Sequence, residues 1–127
     1  IHKTRDITRP NESVANRVVG DVSGRLCILV DDMIDTAGTI VKAADALLAA
    51  GASGVVIAAT HAIFSEPAVE RLVACGASEV IVTNTLPIAR ENHFEKLTVL
   101  SIGPLIAEAV RAVFEDGSVT SLFGGRA

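Results

Sequence analysis

Tryptophan and tyrosine are absent from the 127 residues, and four phenylalanines make up the whole aromatic complement. A platform for stacking a planar ligand has little to be built from. Cysteine is also scarce. Cys27 stands inside an apolar, strand-like run and Cys75 at the end of a helix-like one, settings that suit neither a disulfide framework nor a zinc site. Both read as reduced thiols. An excess of basic charge is missing too, since 11 Lys and Arg face 15 Asp and Glu, for a formal net charge of -4. Nucleic acids and anionic membranes normally recruit a basic face, so neither is expected as a partner and any bound anion must be held locally. No apolar run approaches the ~20 residues that cross a bilayer, and no signal-peptide arrangement of basic, apolar and small-residue blocks occurs. A cytoplasmic protein is expected.

What is present is a chain half apolar and one-fifth charged. A chain of this length buries roughly two-thirds of the surface its unfolded form exposes, enough for one globular core. It opens at Ile1 in a polar, basic stretch, which reads as a cut through a longer polypeptide. Residues 1–20 show neither helical nor strand periodicity and are expected to form a flexible lead-in loop, with 21–127 as one domain.

The pattern changes at Arg25. Leu26, Cys27, Ile28, Leu29 and Val30 form a continuous apolar run ending in Asp31 and Asp32, as in a buried parallel strand. Residues 39–50 place Ile40, Ala43, Ala44, Leu47 and Leu48 on one helical face, and Gly51 is a helix stop. Strands are expected at 55–60, 80–83 and 97–101. Helices are expected at 67–75, with Gly76 as its stop, and from Pro104 to about Phe114; residues 119–123 read as a short edge strand. Ala50-Gly51-Ala52-Ser53 and Cys75-Gly76-Ala77-Ser78 each precede a Val/Ile strand. They punctuate consecutive units, and such alternation predicts an α/β fold, a parallel sheet flanked by helices on both faces.

The chemistry concentrates in Val30-Asp31-Asp32-Met33-Ile34-Asp35-Thr36-Ala37-Gly38-Thr39, between a strand and a helix. Ligands of open α/β sheets bind at that edge, because first-turn amides and the helix dipole stabilise an anion. Thr36, Ala37, Gly38 and Thr39 are small enough for close backbone approach, and their two hydroxyls can donate to phosphate oxygens. Asp31 and Asp32 would repel a phosphate but accept strong hydrogen bonds from a sugar diol. A pentose carrying a 5-phosphate and a 2,3-diol fits both halves. Neither the P-loop pattern, with Lys after its second Gly, nor Gly-x-Gly-x-x-Gly occurs. The plainer alternative, an ordinary helix start with acidic turn residues, explains less of this density of Asp and Thr around one Gly.

That run resembles the phosphoribosyl pyrophosphate signature of type I phosphoribosyltransferases and ribose-phosphate pyrophosphokinases. The rest of the chain resembles the second group: His2-Lys3-Thr4-Arg5, Pro10-Asn11, Val19-Gly20-Asp21-Val22, Ala59-Thr60-His61, Val82-Thr83-Asn84-Thr85, the stretch from Gly103 to Ala109 and that from Ser118 to Phe123. The resemblance runs end to end and is to the C-terminal half of the pyrophosphokinase polypeptide. It implies a type I phosphoribosyltransferase-like fold and a missing N-terminal half. It also implies ATP and ribose 5-phosphate as substrates, Mg2+ as cofactor and a homo-oligomer, hexameric in the family. The fragment alone is expected to be inactive.

Residue by residue, the resemblance makes Lys3 and Arg5 the catalytic basic pair, Asp31 and Asp32 the ribose-hydroxyl pair, and Thr36, Ala37, Gly38 and Thr39 the 5-phosphate loop. Asp35 joins the ribose 5-phosphate set with an open role, orienting the loop or a metal-bound water. Ser118, Thr120 and Ser121 match a segment at a regulatory phosphate or ADP site, against which an exposed turn is the plain alternative. No magnesium ligand is assignable in the chain. His61 reads as a hydrogen-bonded structural histidine in preference to a ligand contact. Two rivals remain: a type I phosphoribosyltransferase, which needs a nucleobase hood usually built with stacked aromatics, and a non-catalytic synthetase-associated subunit, which commonly lacks the acidic loop or basic pair retained here.

Overall fold

The computed structural model describes residues 2–5 and 13–124. Its centre is a four-stranded parallel sheet of β3 (Leu26–Ile34), β4 (Gly54–Ala62), β5 (Glu79–Thr83) and β6 (Leu97–Leu100), in that spatial order. Ahead of it lies an antiparallel ribbon of β1 (His2–Arg5) and β2 (Ser13–Arg17). Where the sequence showed no strand periodicity within residues 1–20, backbone pairing therefore builds two strands, and β2 runs beside helix α1 (Gly38–Ala49). Residues 1 and 6–12 of that expected loop lie outside the described residues.

Helix α1 connects β3 to β4, and α2 (Ala68–Ala74) connects β4 to β5. Each step moves one strand further across the sheet in the same direction, so crossovers of one hand deliver both helices to one face. The core records this: Ile40, Ala44 and Leu47 of α1 and Ala68 and Leu72 of α2 join Val55, Ile57, Val80 and Val82 of the strands in a single buried cluster. Alanines at 43 and 44, both buried, let α1 approach the sheet closely. The α/β parallel sheet expected from the sequence is present, and the helices packed on it share a face. On the other face Leu26, Ile28 and Val30 of β3 are exposed, Val30 by 78%. Helix α3 (Gly103–Phe114) likewise leaves Leu105, Ile106, Val110, Val113 and Phe114 in solvent. Among the described residues no helix is long and apolar enough to cross a membrane.

The two expected glycine stops have different causes. Gly51, at φ +91, ends α1 as expected: its N–H reaches Leu48 O and that of Ala52 reaches Leu47 O, at 3.0 and 3.1 Å, the Schellman pattern. Gly76 is not a left-handed cap. Helix α2 stops because Cys75 turns extended, and the Lys96 ammonium takes the carbonyls of Val73 and Cys75 at 3.1 and 2.9 Å. Gly76 is small because a Cβ there would run into Leu48 Cδ1. The paired serines of the repeated punctuation do equivalent work, Ser53 N–H donating to Arg25 O and Ser78 N–H to Val55 O, each starting a new rung of the sheet. At the chain's far end, the expected edge strand is instead a 3-10 turn over Val119–Phe123. Ser121 donates through both N–H and hydroxyl to Ser118 O, and Gly124 at φ +69 closes it, so local bonds satisfy groups that a strand would leave for a neighbour.

Candidate ribose phosphate site

Strand β3 does not end at the acid pair. It runs through Asp31 and Asp32 to Ile34, with Asp31 opposite Ala59, Met33 opposite His61 and Ile34 opposite Ala62. Adjacent strand residues send their side chains to opposite sides. Asp31 is accordingly half-buried while Asp32 is exposed, and an Asp31 carboxylate oxygen accepts the Asp32 N–H at 3.0 Å. The acids are thus unequal: one is tied into the strand's own backbone, the other stands in solvent. Beyond Asp32 the burial pattern of β3 changes phase, and Ile34 turns fully inward, 1% exposed. That buried anchor fixes where the loop departs, and its carbonyl accepts the N–H groups of Ile63 and Phe64 at 3.0 and 3.1 Å.

Asp35 and Thr36 form the exposed bend, and Ala37 is the N-cap of α1. Ala37 adopts φ 60 and ψ 0, the left-handed region, although it carries a Cβ. Left-handed conformation costs an L-residue roughly 1–2 kcal/mol, and here the methyl is buried at 5% exposure, so core packing holds a conformation that local preference opposes. The outcome is electrostatic. A left-handed residue followed by a right-handed helical one turns successive N–H groups toward a common concavity, an anion-binding nest. The first bond of the helix ladder runs from Val41 N–H to Ala37 O at 3.1 Å, so the amides of 37–40 precede the ladder, and the cap residue has no side-chain oxygen to offer them. The helix dipole adds to the same preference for negative charge.

One cation comes from a distance. Arg71, in the last turn of α2, donates from its guanidinium to Thr36 O at 2.8 Å, across 35 positions of sequence. No local pattern signals this contact, because nothing about a lone exposed arginine on a short helix indicates which loop it will meet. At the neighbouring strand ends, His61 Nδ1 lies 2.9 Å from Thr85 Oγ1, and the hydroxyls of Thr83 and Thr85 both donate to Thr60 O at 2.6 and 3.1 Å. His61 is half-buried and bonded, as its structural reading requires.

The loop residues 31–39 are therefore gathered at one strand end, whereas Ser118, Thr120 and Ser121 sit in the exposed 3-10 turn, where Ser118 Oγ and Thr120 Oγ1 are 2.6 Å apart. Lys3 and Arg5 are placed on β1, opposite Ala15 and Ser13 in the backbone register. Among the described residues no group of three or more His, Cys, Asp or Glu side chains converges to hold a metal.

Comparison with known proteins identifies the family. The family model described as phosphoribosyl synthetase-associated domain matches residues 5–124. A ribose-phosphate pyrophosphokinase of Bifidobacterium longum is 64% identical over 123 residues, covering 97% of this chain and 36% of that protein. One of Mycobacterium tuberculosis is 63% identical over 127 residues, covering 100% and 39%. The crystal structure of phosphoribosylpyrophosphate synthetase from Mycobacterium smegmatis superimposes with a TM-score of 0.76 at 58% identity, over 86% of this chain and 36% of that one. The chain thus spans little more than a third of the length of the curated relatives it matches. It belongs to the phosphoribosyl synthetase-associated domain family, among the ribose-phosphate pyrophosphokinases that its motifs resemble.

Proposed function

We propose that this chain carries the ribose 5-phosphate site of a ribose-phosphate pyrophosphokinase, which transfers diphosphate from ATP to the 1-hydroxyl of ribose 5-phosphate and releases AMP. The observation that carries the reading is the left-handed Ala37 directly before the first turn of α1, a backbone geometry suited to gathering consecutive amides round an anion, with exposed Asp32 nearby in the chain as an acceptor for sugar hydroxyls. Chemistry assigns the remaining parts. The sugar's 1-hydroxyl attacks the β-phosphorus in line, and charge on the travelling diphosphoryl group needs cations. Lys3 and Arg5, brought in by their ribbon, supply two of them in this reading. Magnesium enters on the polyphosphate, as is usual for an ion held by substrate phosphates with one or two carboxylates.

Placement in the C-terminal half of a longer polypeptide is part of the proposal, as are the homo-oligomer, the cytoplasmic location and a regulatory role for Ser118, Thr120 and Ser121. The relatives' greater length supports a missing half, and the exposed faces of β3 and α3 are apolar surface for it or another subunit to cover. The test is to incubate the full-length protein with ATP, magnesium and ribose 5-phosphate. AMP together with phosphoribosyl pyrophosphate is expected; ADP with orthophosphate would overturn the assignment.

A further inference from the structure

We infer that Arg71 is a positioning residue for the phosphate loop: by holding the Thr36 carbonyl, its guanidinium sets the direction of the Ala37 amide that meets the anion. The inference rests on the site reading above and deepens it. A peptide unit is planar and trans, so its C=O and N–H point in opposite directions. The carbonyl of Thr36 and the N–H of Ala37 belong to one such unit. Tying the carbonyl to Arg71 at 2.8 Å therefore turns the Ala37 N–H away from α2 and holds it there. Without a tether, rotation of a peptide plane is the ordinary freedom of a turn, and turn types I and II differ by the direction of their central peptide. Here the plane to be held precedes a strained left-handed residue, and the loop itself is exposed.

Plainer roles explain less. A cation in the last turn of a helix is favoured by the dipole alone, and an exposed arginine ordinarily needs no partner. Neither account requires the guanidinium to reach Thr36. Nor does either explain Gly38. Its φ is ordinary, so no backbone demand calls for glycine, yet a Cβ built there would lie 3.2 Å from Arg71 Nη1. Glycine at 38 leaves the space the guanidinium occupies. Bonded to the loop backbone, the arginine also adds a permanent positive charge to a segment that carries the carboxylates of Asp31, Asp32 and Asp35 in its sequence.

The experiment uses the full-length enzyme and four variants: Arg71→Met, Arg71→Lys, Gly38→Ala, and Gly38→Ala combined with Arg71→Met. Loss of a charge-assisted bond that organises the loop should raise the KM for ribose 5-phosphate roughly tenfold in Arg71→Met. The KM for ATP should stay within about twofold, because the effect is confined to one substrate's site. Since Arg71 is exposed, Tm should move by no more than about 2 °C. Arg71→Lys should recover part of the loss. Gly38→Ala should raise the same KM alone and add little on top of Arg71→Met, because both changes break one contact. Unchanged affinity in Arg71→Met, equal losses for both substrates, or full additivity in the double variant would each overturn the inference. Should the wild-type protein form no phosphoribosyl pyrophosphate, the function fails separately. The positioning role is then read from thermal stabilisation by inorganic phosphate, which Arg71→Met should reduce and which an uninvolved Arg71 would leave intact.

Discussion

His61 and Thr85 join the ends of two strands through a 2.9 Å bond between Nδ1 and a hydroxyl that itself donates to Thr60 O. Either partner can donate in that contact, according to the histidine tautomer, and the ring nitrogen is bonded in both cases. The histidine closest in chain register to the phosphate loop is thus occupied in tying β4 to the turn after β5. His61→Ala should cost about 1 kcal/mol of stability in a denaturant titration. The KM for ribose 5-phosphate should change by less than about threefold in the full-length enzyme; a larger rise at unchanged stability would mark His61 as a ligand contact.

The acid pair should divide its work as its burial divides. Asp32→Ala removes an exposed carboxylate and should weaken ribose 5-phosphate roughly tenfold or more, the scale of charge-assisted bonds, with stability held within about 0.5 kcal/mol. Asp31→Ala also removes the acceptor of the Asp32 N–H and should lower stability by about 1 kcal/mol. Calorimetry of sugar-phosphate binding beside thermal unfolding separates the two. Equal stability losses would refute the division.

Lys3→Ala in the full-length enzyme should lower kcat roughly a hundredfold or more while ribose 5-phosphate binds as before, since stabilisation of a charge that appears only in the transition state leaves ground-state affinity alone. Steady-state kinetics at saturating ATP check this. A raised KM with normal turnover would make Lys3 a binding residue instead.

Ala37→Val tests the strained cap. A β-branched side chain is poorly tolerated at φ 60, and the site is buried, so stability should fall by about 2 kcal/mol and phosphate affinity with it. Ala37→Gly should retain affinity, because glycine reaches the left-handed region at little cost. Chemical denaturation and phosphate titration of the two variants decide the matter; a silent Ala37→Val would mean that the nest is not shaped by this residue.

Much of this was legible beforehand, and the misses share a cause. The helical face of Ile40, Ala43, Ala44 and Leu47 and the stop at Gly51 are local patterns that appear as read, whereas the run from Leu26 to Val30 forms the expected parallel strand but leaves Leu26, Ile28 and Val30 exposed where burial on both faces was expected. The place of the Asp- and Thr-rich segment between strand and helix was legible for the same reason, all of it lying within ten consecutive positions. Gly76 was read as a helix stop, yet its smallness answers to Leu48, a neighbour in space. Residues 119–123 looked like a strand by their Val, Thr and Phe, but Ser118 and Ser121 offered the backbone a nearer partner.

By itself the order of residues determined the alternation of strand and helix and the chemistry available at the first strand-to-helix turn, because periodicity, turn residues and side-chain type act over a few positions. Only the folded chain decided that α1 and α2 share one face of the sheet, that Asp31 is tied to the backbone while Asp32 stays open, and that Arg71 reaches the loop 35 residues before it. Those relations depend on the direction in which each strand is added and on how close two helices can pack. Such distances exist only once the chain has closed on itself.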